Sequence, residues 1–472
     1  MKKLLLSGAA VLLIAAAPAS VIQAPAAQSI SATDKAEGAK AHAQILEEYG
    51  GSYGGAQADY AAKVGRKVAF QSGIANVDKD FTITVLNSPV DNAFAIPGGY
   101  VYCTRQLLAL MNDEAELAFV LGHESGHIAA HHAEKRQKAA SRNSILGALG
   151  QMLVGQVAGG GALGQLLQKG IGTGSQLLTL SFSRKEEFEA DDLGMLFSNK
   201  AGYDPRAAAD MLGALGAQVT LDQQLAGSSR STPAWASTHP DPGSRVQRAL
   251  GRAQQLASSN TFRNNDAFLM SLKGLMYGDD PAQGVIEGQD FRYPVARFQF
   301  TAPTGYGMSN GLRAVTIAGS RGQATFNGGK YTGSLGDYID TVFKGLSSSG
   351  SVSHSALQST TINGMNAAYA SSAAQSSDGQ TLDVTVIAYA FAPGQAYHFV
   401  VLTPQGQGLG DLSALVQSFR RMTPAEAAAV RGRKIDIVTV KRGDTIDGIA
   451  KRMAYADHQV ERFMVLNALT AG

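Results

Sequence analysis

The chain has 472 residues, with 40 basic and 38 acidic side chains and a net charge of +2. No long basic run accompanies that balance, so nucleic acid is not an expected partner, and the length calls for more than one domain. The single cysteine, Cys103, rules out an intrachain disulfide and reads as a small buried hydrophobe.

Residues 1–27 read as a secretory signal. Lys2 and Lys3 supply the charge, Leu4 to Ala16 the apolar run, and Ala17-Pro18-Ala19 or Ala24-Pro25-Ala26 a small-residue cleavage site. The run is short for a membrane span, and no cysteine directly follows it to carry a lipid anchor. The expectation is an exported protein, most simply one of a bacterial periplasm. Further on, Phe81 to Leu86 alternates apolar and polar residues as a strand does, and Asn92 to Ala95 reads as a short extended piece before a Gly98-Gly99 turn.

A helix is predicted from Asp113, whose spacing to Glu116 is that of a capping box; Leu117, Val120, Leu121 and Ile128 follow at helical intervals. Inside it lies His123-Glu124-Ser125-Gly126-His127. Histidines four apart project from one helical face, ~6 Å apart along the axis, and can reach one zinc ion. The intervening glutamate can then act as general base toward a water at that ion. A chance match on an amphipathic helix with surface histidines is the competing explanation. A zinc site of this kind needs a third protein ligand. His131 stands roughly 12 Å from His123 along a straight helix, too far to serve. His131 and His132 are therefore read as helix-end residues beside the negative end of the dipole.

Residues 143–168 hold no charge but many glycines, with Gln151, Gln156, Gln165 and Gln168 interspersed. The stretch reads as a helical hairpin rather than a membrane span. Ser183 and Glu186 then open a second helix that runs to about Lys200 and closes at Gly202. Glu187 and Asp191 share one face of it. They suit a third ligand and a carboxylate that orients a ligand histidine; they equally suit a solvated acidic helix start. Composition alone does not choose.

Four pieces, Asn92-Ala93-Phe94-Ala95-Ile96-Pro97-Gly98-Gly99, His123 to His127, Ser183-Arg184 through Glu187 to Asp191, and Thr238-His239-Pro240, together resemble metallopeptidase family 48 over roughly residues 30–255. That is the family of HtpX-, BepA- and CAAX-prenyl-protease-like zinc peptidases. The resemblance implies one Zn2+ per chain held by His123, His127 and Glu187, with Glu124 as the base and Asp191 behind a ligand histidine. It further implies that His239 approaches the metal as a removable fourth ligand or an oxyanion stabiliser. Arg245 would pair with a carboxylate of the site, and Asn92, Ala93 and Phe94 would lie on an edge strand that pairs with extended substrate.

The expected fold class is α+β. A mainly helical, gluzincin-type metalloprotease domain with a small sheet spans 28–258, an α+β accessory domain 262–425, and a short LysM-like segment 435–472. In the accessory domain, Val295 to Thr301 and Ala314 to Ile317 read as strands, and Leu382 to Phe391 with Ala396 to Thr403 as a hairpin. Leu335 to Leu346 and Leu409 to Met422 read as helices, and the order of elements resembles the PsbP-like fold. Val438 to Ile446 with Leu466-Asn467 resembles a LysM module, a binder of N-acetylglucosamine chains, although the chain stops before a closing strand. The expected function is an exported zinc endopeptidase that cleaves misfolded or stalled envelope proteins, possible contacts being peptidoglycan or the membrane surface. The alternative is a chaperone-like or peptidoglycan-associated protein that uses the same cleft for binding.

Overall fold

The computed structural model describes residues 28–136, 182–225, 239, 242–256, 260–311, 314–346, 353–375 and 380–469. The expected signal (1–27) and hairpin (143–168) lie outside the described residues. An α+β architecture results. Helices α1 (Ala32–Glu48), α2 (Ala56–Ala69), α3 (Arg105–Leu110), α4 (Glu114–Ala129), α5 (Arg184–Lys200), α6 (Ala207–Leu225) and α7 (Pro242–Gln255) gather around a three-stranded sheet. Its strands are β1 (Thr82–Leu86), β2 (Ala93–Ile96) and β3 (Tyr100–Thr104), in the order β1-β3-β2. β1 runs parallel and β2 antiparallel to the central β3, which leaves β2 at an edge.

The core of this part is Val64 and Val68 of α2, Leu117 and Leu121 of α4, and Met195 and Phe197 of α5, with Met211 and Leu212 of α6. Phe268 and Leu272, from helix α8 (Asn265–Leu272), and the following Leu275 join this same core, although they lie beyond the boundary read near Ser258. α4 and α5 start where the sequence says they should. Asp113 accepts from the Glu116 amide at 2.8 Å, and Ser183 with Glu186 forms a complete capping box. α5 stops at Lys200, and Gly202, at φ 96, takes the left-handed turn that follows.

The two helices approach closely because glycines face each other. A Cβ on Gly194 would lie 2.8 Å from the His123 backbone nitrogen, and one on Gly126 would lie 3.1 Å from the Leu193 Cβ. With no Cβ in the way, the α5 carboxylates come within reach of the α4 histidines.

The later part of the chain is sheet-rich. Gly307–Asn310, Val315–Gly319 and Gly322–Lys330 continue through Gln395–Pro404, Thr381–Ala392, Met365–Gln375 and Gln358–Ile362 in one seven-stranded sheet. The predicted hairpin is its centre, and the predicted helix is α9 (Leu335–Leu346), packed on one face. The longer helix expected over 409–422 is only Leu412–Ser418. At the C-terminus, α10 (Ile446–Ala450) and α11 (Gln459–Leu466) form, but no strand forms among the described residues 435–469. The opening strand of the LysM-like reading is therefore absent. Ile435 and Val465 pack against the helical core instead.

Candidate metal centre

His123, His127, Glu187 and His239 are buried, and each offers one ligand atom within 4.8 Å of all the others. The two histidines come from the middle of α4, Glu187 from the first turn of α5, and His239 from just before α7. Asp191 lies one turn beyond Glu187, as the spacing requires. It faces His123 Nδ1 at 3.0 Å and accepts a two-pronged bond from Arg245, Nε to Oδ2 at 2.8 Å and Nη2 to Oδ1 at 2.6 Å. Arg245 Nη1 also sits 3.1 Å from Glu187 Oε2.

Proton placement follows from these contacts. Burial would raise the Asp191 carboxyl, but Arg245 and His123 outweigh it and hold it well below the usual carboxylate range. An ionised Asp191 can only accept, so His123 donates from Nδ1; in the neutral ring the lone pair then lies on Nε2. On the other histidine, His132 Nε2 faces the Glu189 carboxylate at 3.4 Å, and His132 Nδ1 faces His127 Nδ1 at 2.9 Å. His132 thus donates to Glu189 and accepts from His127, which leaves a lone pair on His127 Nε2 as well. The two Nε2 atoms face each other at 3.0 Å. Lone pair against lone pair is repulsive unless a cation lies between them.

The fit to such a cation is close. Glu187 Oε2 lies 3.6 Å from His123 Nε2, and Oε1 lies 3.6 Å from His127 Nε2. A tetrahedral ion with bonds of ~2.0–2.1 Å has ligand atoms roughly 3.3 Å apart. Burial would raise the Glu187 carboxyl, yet His239, His123 and Arg245 keep it below its ordinary value, as a ligand needs. Burial pushes the His127 ring well below its usual range, so it stays neutral. Glu124 Oε2 is buried without a hydrogen-bond partner, and burial raises its carboxyl despite nearby His239 and His123. A buried carboxylate oxygen left open beside a ligand set is suited to receiving a proton.

His239 Nδ1 lies 3.0 Å from Glu187 Oε2, and its Nε2 lies 3.2 Å from the Ala93 carbonyl and 3.7 Å from Glu124 Oε1. It therefore lies within the buried group, with both ring nitrogens facing oxygens.

Two site expectations need correction. Asn92 and Phe94 do not face the cleft. Strand alternation sends Phe94 and Ile96 into a separate cluster with Ile45, Leu86 and Tyr102, and Asn92 is buried, its amide bonded to Thr104 Oγ1 at 3.2 Å. Of these three, Ala93 reaches the site, through its backbone carbonyl. His132 is not a helix-end residue interacting with the dipole: it is fully buried behind His127. Phe182, which stacks on the His127 ring at 4.0 Å between centroids, gave no signal in the sequence pattern.

Two histidines on one helix, a glutamate on a second helix, and a buried glutamate with one open carboxylate oxygen beside them define a mononuclear metallopeptidase centre. Residues 56–253 match the family model described as Peptidase family M48, so the chain carries a domain of that family. A beta-barrel assembly-enhancing protease of Yersinia pestis is 31% identical over 212 residues, which are 43% of this chain and 41% of that protein. The mitochondrial metalloendopeptidase OMA1 of Schizosaccharomyces pombe is 32% identical over 215 residues, 44% of this chain and 57% of that protein. Human mitochondrial metalloendopeptidase OMA1 is 31% identical over 177 residues, 37% of this chain and 32% of that protein. The chain thus spans between about a third and three-fifths of the length of these relatives. A solution structure of cyanobacterial PsbP from Synechocystis aligns with 29% of this chain and 98% of its own at 12% identity, with a TM-score of 0.23. No helix among the described residues is long and apolar enough to cross a membrane.

Proposed function

We propose that this protein is an exported zinc endopeptidase that cleaves extended segments of misfolded or stalled envelope proteins. The carrying observation is the pair of His Nε2 atoms, 3.0 Å apart and closed by Glu187, with the open Glu124 oxygen beside them. Names of relatives such as beta-barrel assembly-enhancing protease support the envelope setting. Bound in the group of His123, His127 and Glu187, zinc would supply a Lewis acid for the scissile carbonyl and make water acidic enough to attack. Glu124 takes the proton of the attacking water on its open oxygen and returns one to the leaving amine. β2 lies at a sheet edge, and its outward backbone at Ala93 and Ala95 can hydrogen-bond an extended chain of any sequence. Beside it, a cavity of about 40 Å3 bordered by Ile30, Ile74, Ala95, His127, Ile128 and Phe182 can receive a small apolar side chain. Purified protein should contain one zinc per chain and degrade casein, and Glu187→Ala should lose both. Undiminished zinc in Glu187→Ala would remove the third ligand from this reading.

His239 spends its two ring nitrogens on Glu187 and on the Ala93 carbonyl. It therefore holds the positions that a substrate chain would use. On this reading His239→Ala raises kcat/KM on unfolded substrate several-fold. A drop of a hundredfold or more would assign it to oxyanion stabilisation instead.

A further inference from the structure

His132 lies five residues beyond His127, on the far side of the turn that ends α4. The turn depends on His131, whose φ of 54 is in the left-handed region that non-glycine residues enter at a cost. Gln28 holds the turn from outside. Its Nε2 donates to the Ala129 carbonyl at 2.6 Å, one of the groups that a helix end leaves without an intrahelical partner. Its Oε1 meets His131 Nε2 at 2.5 Å. Gln28 is itself tied to the body of the fold, its amide donating to the Gly73 carbonyl at 3.2 Å and its carbonyl accepting from the Ala75 amide at 2.8 Å.

A straight helix would carry His132 away from the site. The left-handed turn brings it back under His127, the two rings edge to face at 5.0 Å between centroids. Phe182 covers both rings, at 4.0 Å from His127 and 5.9 Å from His132. His132 is not itself a ligand, because its Nδ1 is spent on His127 and its Nε2 on Glu189.

We propose that His132 is a positioning residue for the metal ligand His127, and that Gln28 and left-handed His131 form the brace that places it. The inference rests on the metal-site reading above. α5 then serves both ligand histidines: Asp191 orients His123 directly, while Glu189 orients His127 through the intervening His132. The two arms differ in kind. His123 donates to an ionised acceptor clamped by Arg245, whereas His127 donates to a neutral imidazole, which polarises a ligand less. Loss of an oriented outer partner of this sort lowers metal affinity by about 10–100-fold.

The test uses the full chain, with Co2+ as a visible probe and a competing chelator to measure affinity. His132→Phe keeps a flat ring but removes the acceptor; its Co2+ affinity should fall by about 10–100-fold, with a changed visible spectrum. His132→Asn places a carbonyl oxygen near the position of Nδ1 and should restore both affinity and spectrum to near the native values. A folded His132→Phe within twofold of the native affinity would overturn the proposal, and so would a His132→Asn as weak as His132→Phe, which marks a merely structural role. If His132→Phe does not fold, Gln28→Ala decides: a severalfold loss of Co2+ affinity supports the brace, and an unchanged affinity overturns it. Native protein that takes up no Co2+ would overturn the metal-site reading itself, whereas native uptake with unaffected variants overturns this proposal alone.

Discussion

Glu124→Gln should abolish peptide-bond cleavage and leave the metal in place. The substitution is nearly isosteric, so the α4 backbone and the flanking histidines keep their places. What it removes is the ability to take up a proton. Glu124 Oε2 is buried with no partner, and burial raises the carboxyl above its ordinary value, closer to the range in which a base works near neutral pH. General acid–base catalysis of this kind contributes about 10²–10⁴-fold, so kcat/KM should fall by at least about a hundredfold. Metal content should stay at the native value, because both Nε2 atoms and the Glu187 carboxylate are untouched. Side-by-side metal analysis and casein cleavage settle the matter. Cleavage at the native rate with Gln at this position would end the proposed mechanism.

The local parts of the centre were legible because each rests on a short-range rule. Capping at Asp113 and Ser183, and the four-residue spacings of His123 to His127 and Glu187 to Asp191, follow from helical geometry alone. Joining the two helices required the family resemblance, since residue type does not separate a ligand glutamate from a solvated one. A pattern that does bear on it was available: Gly122 and Gly126 lie on one face of α4 and meet Gly194 and Ala190 of α5.

The place of His132 is not legible locally: a straight helix would carry it past the site, and a left-handed histidine held by a glutamine about a hundred residues earlier cannot be foreseen from local spacing. Strand alternation puts successive side chains on opposite faces, which sends Phe94 into a separate cluster away from the metal site. The hairpin of the later sheet was readable because both of its strands alternate across a Pro-Gly turn.

Arg245→Met should destabilise the helical domain by about 3–5 kcal/mol, the usual cost of removing one partner from a buried charge cluster. Arg245 is 1% exposed and satisfies both Asp191 oxygens while reaching Glu187. Without it, a buried carboxylate faces His123 alone. The pH dependence should change with it. In the native protein the folded-state pKa of Asp191 is depressed: burial would raise it, but Arg245 more than compensates. The associated stability is present above the ordinary carboxylate pKa and is lost as pH falls through the depressed value. In Arg245→Met the carboxyl loses its main counter-charge, so this part of the stability should shrink and the acid transition should move upward in pH. Arg245→Lys should recover only part of the loss, since one ammonium cannot make the fork that meets both oxygens. Asp191→Asn in the Arg245→Met background should cost much less than the sum of the two single changes, as expected of groups in contact. Urea unfolding followed by circular dichroism at two pH values measures all four variants. A loss below about 1 kcal/mol, in the range typical of exposed ion pairs, would mean that Arg245 is dispensable and that His123 draws its orientation from elsewhere.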